Sequence, residues 1–416
     1  MAGVCGIFAF DEIWDVSRFV YYQMLAVQSR GQESFGIAIT DLDKVHSISK
    51  TGTVQETLAS DEISGLKGSV GVGGVSTRAM NGYVSDDIAI FFDGSVTITE
   101  KEAQVLREAL GTMDEVEAVR KFQDSISGAY SMVILTKDKL IAARDKCGVK
   151  PLVIGGVGFD LAVVASETSA LDVIGAELSR DIEPGEIVII DKNYIDEIKD
   201  PSPRKPAQCI FEYVYMSRID SRINGYDIHE IRKKIGVILA KNNPVDADVV
   251  IGVPETAIPF AMAYANESGI PIDLGFMRTG KHLRTAIRPS QMERMIGVQL
   301  KLNPIRTAVR GKRVVLIDDS VVRGTTMRNI VNLLRKRGAK EVHVRIGSPK
   351  LVAACPFGTE VPTTDELIAV DNTDDEIARI IDADTFGYLD LKQLKEALGS
   401  ENFCTGCMSK TYPEVD

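Results

Sequence analysis

The chain has 416 residues, 59 acidic against 48 basic side chains, and a net charge of −11, with 44% hydrophobic and 26% charged residues. That length predicts two or three domains with separate cores, and the acidic balance argues against a general nucleic-acid binder. No apolar run reaches the length of a membrane span and the start of the chain lacks a basic region with a long apolar core, so a cytoplasmic protein with no membrane partner is expected. In chain order, Arg18 to Ala26 reads as a helix, and the short alternating segments Tyr130 to Leu135 and Leu140 to Arg144 read as β-strands. The first half is therefore expected to be a layered α/β unit rich in antiparallel pairing. Three prolines in Pro201-Ser202-Pro203-Arg204-Lys205-Pro206 break any regular element and divide the chain into residues 1–205 and 206–416. Beyond them strands alternate with helices: Val249 to Val253 leads to a helix from Ala257, and Val314 to Ile317 leads to the next. Such alternation predicts a parallel sheet covered on both faces.

The most informative stretch is 314–326, Val-Val-Leu-Ile-Asp-Asp-Ser-Val-Val-Arg-Gly-Thr-Thr. An apolar strand is followed by two carboxylates, a small-residue turn and a helix start, and the apolar positions Ile330, Val331, Leu333 and Leu334 continue at helical spacing until Gly338. Such a turn lies at the carboxyl end of a strand, where open α/β sheets bind ligands. Its backbone N–H groups and the helix N-terminus suit a phosphate, while Asp318 and Asp319 suit two ribose hydroxyls, directly or through Mg²⁺. An Asp-Asp pair alone is often just a solvated turn; the whole run is far more specific and is similar to the 5-phosphoribosyl-1-pyrophosphate (PRPP) motif of type I phosphoribosyltransferases. A basic stretch at Arg278, Lys281, Arg284 and Arg288 follows a predicted strand and fits a polyphosphate better than a solvated loop.

Further segments match in order across nearly the whole chain. Cys5-Gly6-Ile7-Phe8, Gln28 to Glu33, Gly128-Ala129-Tyr130, Ala142 to Asp145 and Ala165 to Thr168 resemble the glutaminase half of the glutamine PRPP amidotransferase family. Gly252 to Thr256, Arg284-Thr285 and the run from Val314 resemble its transferase half. The resemblance implies an N-terminal-nucleophile hydrolase-like αββα sandwich followed by a type I phosphoribosyltransferase domain, a homo-oligomer as the assembly, and formation of 5-phosphoribosylamine from PRPP with ammonia released from glutamine. It implies that Pro254, Glu255 and Thr256 supply backbone contacts to pyrophosphate, that Arg278 to Thr285, including Arg284, forms a lid, and that Ser320, Val321, Val322, Arg323, Gly324 and Thr325 hold the 5′-phosphate. Here Glu-Thr stands where many members have Asp-Ser, and Gly280, Lys281 and His282 replace other lid residues.

In the first half the resemblance makes Cys5 the candidate nucleophile. A cysteine of this kind must be residue one, because its own α-amine serves as base, so residues 1–4 would have to be removed. Ser76 falls where the family carries an arginine for the glutamine carboxylate. Phe92-Asp93-Gly94-Ser95 stands for the oxyanion motif, leaving Gly94 as the residual oxyanion hole and placing a carboxylate beside the developing negative charge, where loss of one donor costs ~3 kcal/mol. A Ser-Asp pair for the glutamine amine is missing between Thr97 and Ala129. Glutamine-dependent activity is accordingly expected to be lost, with ammonia as the amine. The competing readings are a non-catalytic PRPP-binding paralogue and a transferase for another amine.

Of six cysteines, Cys147 reads as a structural thiol. By resemblance, Cys209, Cys355, Cys404 and Cys407 stand where iron–sulfur members of the family hold a [4Fe–4S] cluster, and Cys404-x-x-Cys407 suits one cluster. Zinc is the generic alternative for four cysteines.

Overall fold

The computed structural model describes residues 1–11, 13–202, 204–278 and 302–415. The first half is a sandwich of two mainly antiparallel sheets. One contains β1 (Ala2–Ala9), β2 (Ser34–Thr40), β3 (Val45–Thr51), β4 (Val70–Ser76), β9 (Val153–Val157), β10 (Leu161–Ala165) and β11 (Glu177–Asp181), in the order β11-β9-β10-β1-β4-β2-β3. The other contains β5 (Gly82–Val84), β6 (Ala89–Gly94), β7 (Tyr130–Leu135), β8 (Leu140–Arg144), β12 (Ile187–Ile190) and β13 (Ile195–Ile198), in the order β13-β12-β8-β7-β6-β5. Side-chain alternation explains the layers. Val4 and Phe8 of β1 point between the sheets to meet Phe91, Val133 and Leu140, while Cys5, Ile7 and Ala9 point the other way, toward Val20 and Met24 of the helix Ser17–Ala26. Behind the second sheet, Leu106 and Phe122 of the helices Glu100–Leu110 and Glu115–Ser125 pack on Ile90, Met132 and Ile141. The order of layers is helix, sheet, sheet, helix.

The second half is built on a parallel sheet of Val249–Gly252, Arg313–Asp318, Glu341–Ile346 and Thr385–Tyr388, hydrogen-bonded in that order. The first two strands, Val249–Gly252 and Arg313–Asp318, carry apolar side chains on both faces because both are covered. Val250, Val315 and Ile317 face Ile235, Leu239, Phe260 and Tyr264 from the helices Ile228–Asn242 and Ile258–Ser268. Ile251, Val314, Leu316 and Val344 face Ile330, Val331 and Ile377 on the other side. The two halves share buried surface: Ala129, Cys147 and Val149 of the first belong to the same core as Ile210, Tyr213 and Phe403 of the second. The joining segment is held by Ala207 N–H on Cys147 O at 2.8 Å and Cys209 N–H on Val149 O at 2.9 Å. Among the described residues, no helix is long and apolar enough to cross a membrane.

Candidate functional site

Two loops emerge side by side from the carboxyl ends of adjacent parallel strands, Gly252 being in register with Ile317. The first runs from Asp318 to Gly324 and delivers the chain into the helix Thr325–Lys336. Gly324 makes the entry at φ +74, where a Cβ would also lie 2.5 Å from Ile368, so glycine serves both the turn and the close packing. Val322 O accepts Ile368 N–H at 2.9 Å, and Arg323 pairs with Glu366 at the rim. Asp318 Oδ1 accepts the Asp319 N–H at 2.9 Å, and Ser320 Oγ donates to Asp319 Oδ1 at 2.6 Å. Burial and mutual repulsion push the Asp318 carboxyl well above the ordinary carboxylate range; burial pushes Asp319 up to about 6. A pair of carboxylates in that state favours a cation or hydroxyl donors. They open, with residues 320–327, into a cavity of about 890 Å³ also lined by Ser29, Gln32, Arg78, Tyr215 and Glu360.

The second loop carries Pro254, Glu255 and Thr256 to the N-terminus of the helix Ile258–Ser268, with Val253 N–H tied to Ile317 O at 2.9 Å. The Pro254–Glu255 peptide bond is cis. Glu255 and Thr256 border a neighbouring cavity of about 1010 Å³ with Arg218, Arg232 and Arg278, and Ser29, Gln32 and Tyr215 line both cavities. This concentration of guanidinium groups suits a polyanion. Arg284 and the rest of the expected lid beyond Arg278 lie outside the described residues.

The structure corrects the reading of Cys5. Its Sγ lies 3.7 Å from Gly73 O and 4.0 Å from Val20 O, within the apolar layer beneath the helix Ser17–Ala26, and burial pushes its thiol far above the usual range. Asp93 belongs to the second sheet, on the opposite side of β1. The residue beside Asp93 is Ala2, whose N–H donates to Asp93 Oδ1 at 2.9 Å and which offers no nucleophilic side chain. Cys5 is three residues further along the strand, ~10 Å away. Removing residues 1–4 to expose it would delete the pairing of Ala2, Gly3 and Val4 with Ser76, Val75 and Gly74 and the bonds of Ala2 to Asp93 and Val4 to Ser166.

What occupies this end of the sandwich is a buried charge network that motif reading missed. Arg30 lies 2.9 Å from Asp93, 2.6 Å from Glu167 and 2.7 Å from Glu212, all inside the protein, and its Nε donates to Ala2 O at 2.9 Å. Burial opposes ionisation of Asp93, but Lys150 and then Arg30 hold it below its ordinary range. Lys150, itself fully buried and kept charged against that burial first by Asp93, donates to Thr359 Oγ1 at 3.2 Å. Asp93 is thus engaged as an acceptor and counter-ion, the reverse of an oxyanion donor. Gly94 keeps φ +149, and Gly358 of the second half packs against its carbonyl so closely that a Cβ there would lie 2.2 Å from it. Ser76 Oγ closes a turn through Arg78 N–H at 3.2 Å, while Arg78 borders the cavity of about 890 Å³, 79% exposed and 3.9 Å from Glu360. Arg30 and Glu167 lay within noted motifs, yet only the fold shows that they meet Glu212.

The four cysteines of the second set come together from three segments. Cys209 pairs in parallel register with Cys404, Cys407 O accepts Val352 N–H at 2.7 Å next to the Cys355 loop, and Cys355 Sγ accepts Phe357 N–H at 3.3 Å. All four adjoin one apolar core. Burial, then mutual repulsion among them, pushes Cys407 well above the usual thiol range; burial is the main cause that takes Cys209 up to about 12 and Cys404 up to about 11. Among the described residues no three Cys, His, Asp or Glu groups are set around one metal-ion position. Cys147 instead donates its thiol to Glu414 O at 3.3 Å.

Residues 226–346 match the phosphoribosyl transferase domain family and residues 84–173 the glutamine amidotransferase domain family. The chain is 39% identical to an amidophosphoribosyltransferase of Methanocaldococcus jannaschii, over 99% of this chain and 98% of that protein. It is 36% identical to that of Bacillus subtilis, over 98% and 94%. Among solved structures, one described as the allosteric regulatory enzyme of purine biosynthesis superposes with a TM-score of 0.91 at 35% identity, covering 100% of this chain and 97% of that one. The B. subtilis glutamine PRPP amidotransferase complexed with ADP and GMP gives 0.90 at 35% identity, covering 99% and 97%.

Replacing Arg30 by methionine leaves Asp93, Glu167 and Glu212 buried without their shared cation. A loss of ~3–5 kcal/mol is expected, read as a lower denaturant midpoint with both halves affected.

Proposed function

The chain belongs to the amidophosphoribosyltransferase family, and we propose that it forms 5-phosphoribosylamine from PRPP and free ammonia without hydrolysing glutamine. The observation that carries this reading is the contrast between its two ends: the ribose-phosphate loop and the pyrophosphate loop stand together at the strand ends, whereas the cysteine of the first half is sealed on the far side of its sheet. The ribose hydroxyls fall to Asp318 and Asp319, the 5′-phosphate to Ser320–Thr325, and the pyrophosphate to Pro254–Thr256. Bound Mg²⁺ would neutralise phosphate charge and satisfy the two carboxylates. Ammonia attacks the anomeric carbon as the bond to the pyrophosphate oxygen breaks; pyrophosphate leaves with the bonding pair, and the resulting ammonium gives a proton to solvent. Displacement of this kind needs positioning and a stabilised leaving group, which the two loops supply without a covalent intermediate. The ammonia must then come from a separate deamidating or deaminating reaction.

We also propose that Cys209, Cys355, Cys404 and Cys407 hold a [4Fe–4S] cluster. Four thiols from three segments adjoin one apolar core, and burial disfavours Cys209, Cys404 and Cys407 as thiolates, which suits a group that brings compensating positive charge; a cluster accepts four thiolates. Its chemistry here would be structural, tying the segments of Cys209, Cys355 and Cys404 together.

Three outcomes are expected. Changing Asp318 and Asp319 together to asparagine should abolish Mg²⁺-dependent PRPP binding in calorimetry while the circular dichroism spectrum is retained. Pyrophosphate release should require ammonium and rise with pH as the NH₃ fraction grows, and glutamine should yield no glutamate above background even in Asp93→Asn; glutamate release that disappears in Cys5→Ala would refute the inert pocket. Anaerobically purified protein should contain about four irons and four sulfides per chain, and stoichiometric zinc in their place would remove the cluster.

A further inference from the structure

Glu255 is the departure within the pyrophosphate loop, and the fold gives it a specific neighbour. Its carboxylate lies 3.3 Å from Nη1 of Arg278, a residue contributed by the segment after the short strand Phe276–Met277. Glu255 is 81% exposed along its side chain and Arg278 47%, and both line the basic cavity that the loop borders. A pair so exposed is held weakly, because water screens it and two long side chains lose rotamer freedom to form it. Pyrophosphate carries several negative charges and presents the paired oxygens that a guanidinium fork grips best.

We propose that Glu255 is a removable counter-ion that occupies Arg278 while the pyrophosphate position is vacant and surrenders it when pyrophosphate binds. This rests on reading residues 252–256 as the pyrophosphate cradle. On binding, Arg278 exchanges one carboxylate for the polyanion and Glu255 turns into solvent. On departure of the product, Glu255 recaptures Arg278 and competes with rebinding. Glu255 acts through Arg278 and is a positioning residue; it weakens ground-state hold on the leaving group, which shows in pyrophosphate affinity and in the KM for PRPP before it shows in kcat.

A double-mutant cycle on the full-length protein, with Mg²⁺-pyrophosphate as the calorimetric probe, tests this. Glu255→Gln should tighten pyrophosphate binding by about two- to five-fold, the range an exposed ion pair supplies, and lower the KM for PRPP by a similar factor. In an Arg278→Ala background the same Glu255→Gln change should have no effect, so that the coupling lies between these two residues. Weaker pyrophosphate binding in Glu255→Gln would overturn the proposal and make the carboxylate a direct ligand of the metal complex. An equal gain with and without Arg278 would also overturn it, as a general charge effect. If the wild-type protein binds PRPP but not pyrophosphate, the cradle reading fails; if it binds both and Glu255→Gln changes neither, only the counter-ion role fails.

Discussion

Arg30 is the point on which the two halves depend. Its guanidinium reaches Asp93 in the second sheet, Glu167 beyond β10 and Glu212 in the other half, so one cation closes the strand end of β1 and joins the sandwich to the transferase body. Buried charges are tolerable only when paired with good geometry, and here Lys150 completes the balance by offsetting Asp93 and bonding to Thr359. The same arrangement explains why the end of the sandwich around Asp93 is held rigidly in place. Asp93 is poor as an oxyanion donor and well suited as a partner for two buried cations. An amide in its place would remove a carboxylate that acts on both Arg30 and Lys150 at this end of the sheet.

Two cavities lie side by side at the strand ends of the parallel sheet. Tyr215 stands between them, with the ribose-phosphate loop on one side and the pyrophosphate loop on the other. Arg78 and Glu360, one from each half, both border the first. Retention of the sandwich is then understandable physically, since it supplies Ser29, Gln32 and Arg78 as walls of the transferase cavity.

Much of this was legible in the chain where local pattern governs. Tyr130–Leu135 and Leu140–Arg144 form strands with the expected limits, Arg18 to Ala26 lies within a helix starting at Ser17, and the helix after Gly324 starts at Thr325. The expected strand Val314 to Ile317 extends by one residue each way, because Arg313 and Asp318 continue the parallel ladder with Glu341 and Ile346. Cys5 was misleading because a motif gives residue order but not the face of the strand. Only the pairing of Ala2 with Ser76 and Cys5 with Gly73 shows that the thiol points toward the helix. Arg30 was opaque for a different reason: its partners lie at 93, 167 and 212, and no local period links them.

The pairing of Gln208–Cys209 with Phe403–Cys404 has a consequence for biogenesis. It joins the segment that opens the second half to one near its close, a contact of high sequence separation whose loop-closure entropy is met late. During synthesis the sandwich and most of the parallel sheet emerge before Cys404 and Cys407 leave the ribosome, and domains tend to fold in that order. The cysteine pocket is therefore completed last, and a chain shortened from its far end loses that seam before it loses the loops that hold the sugar.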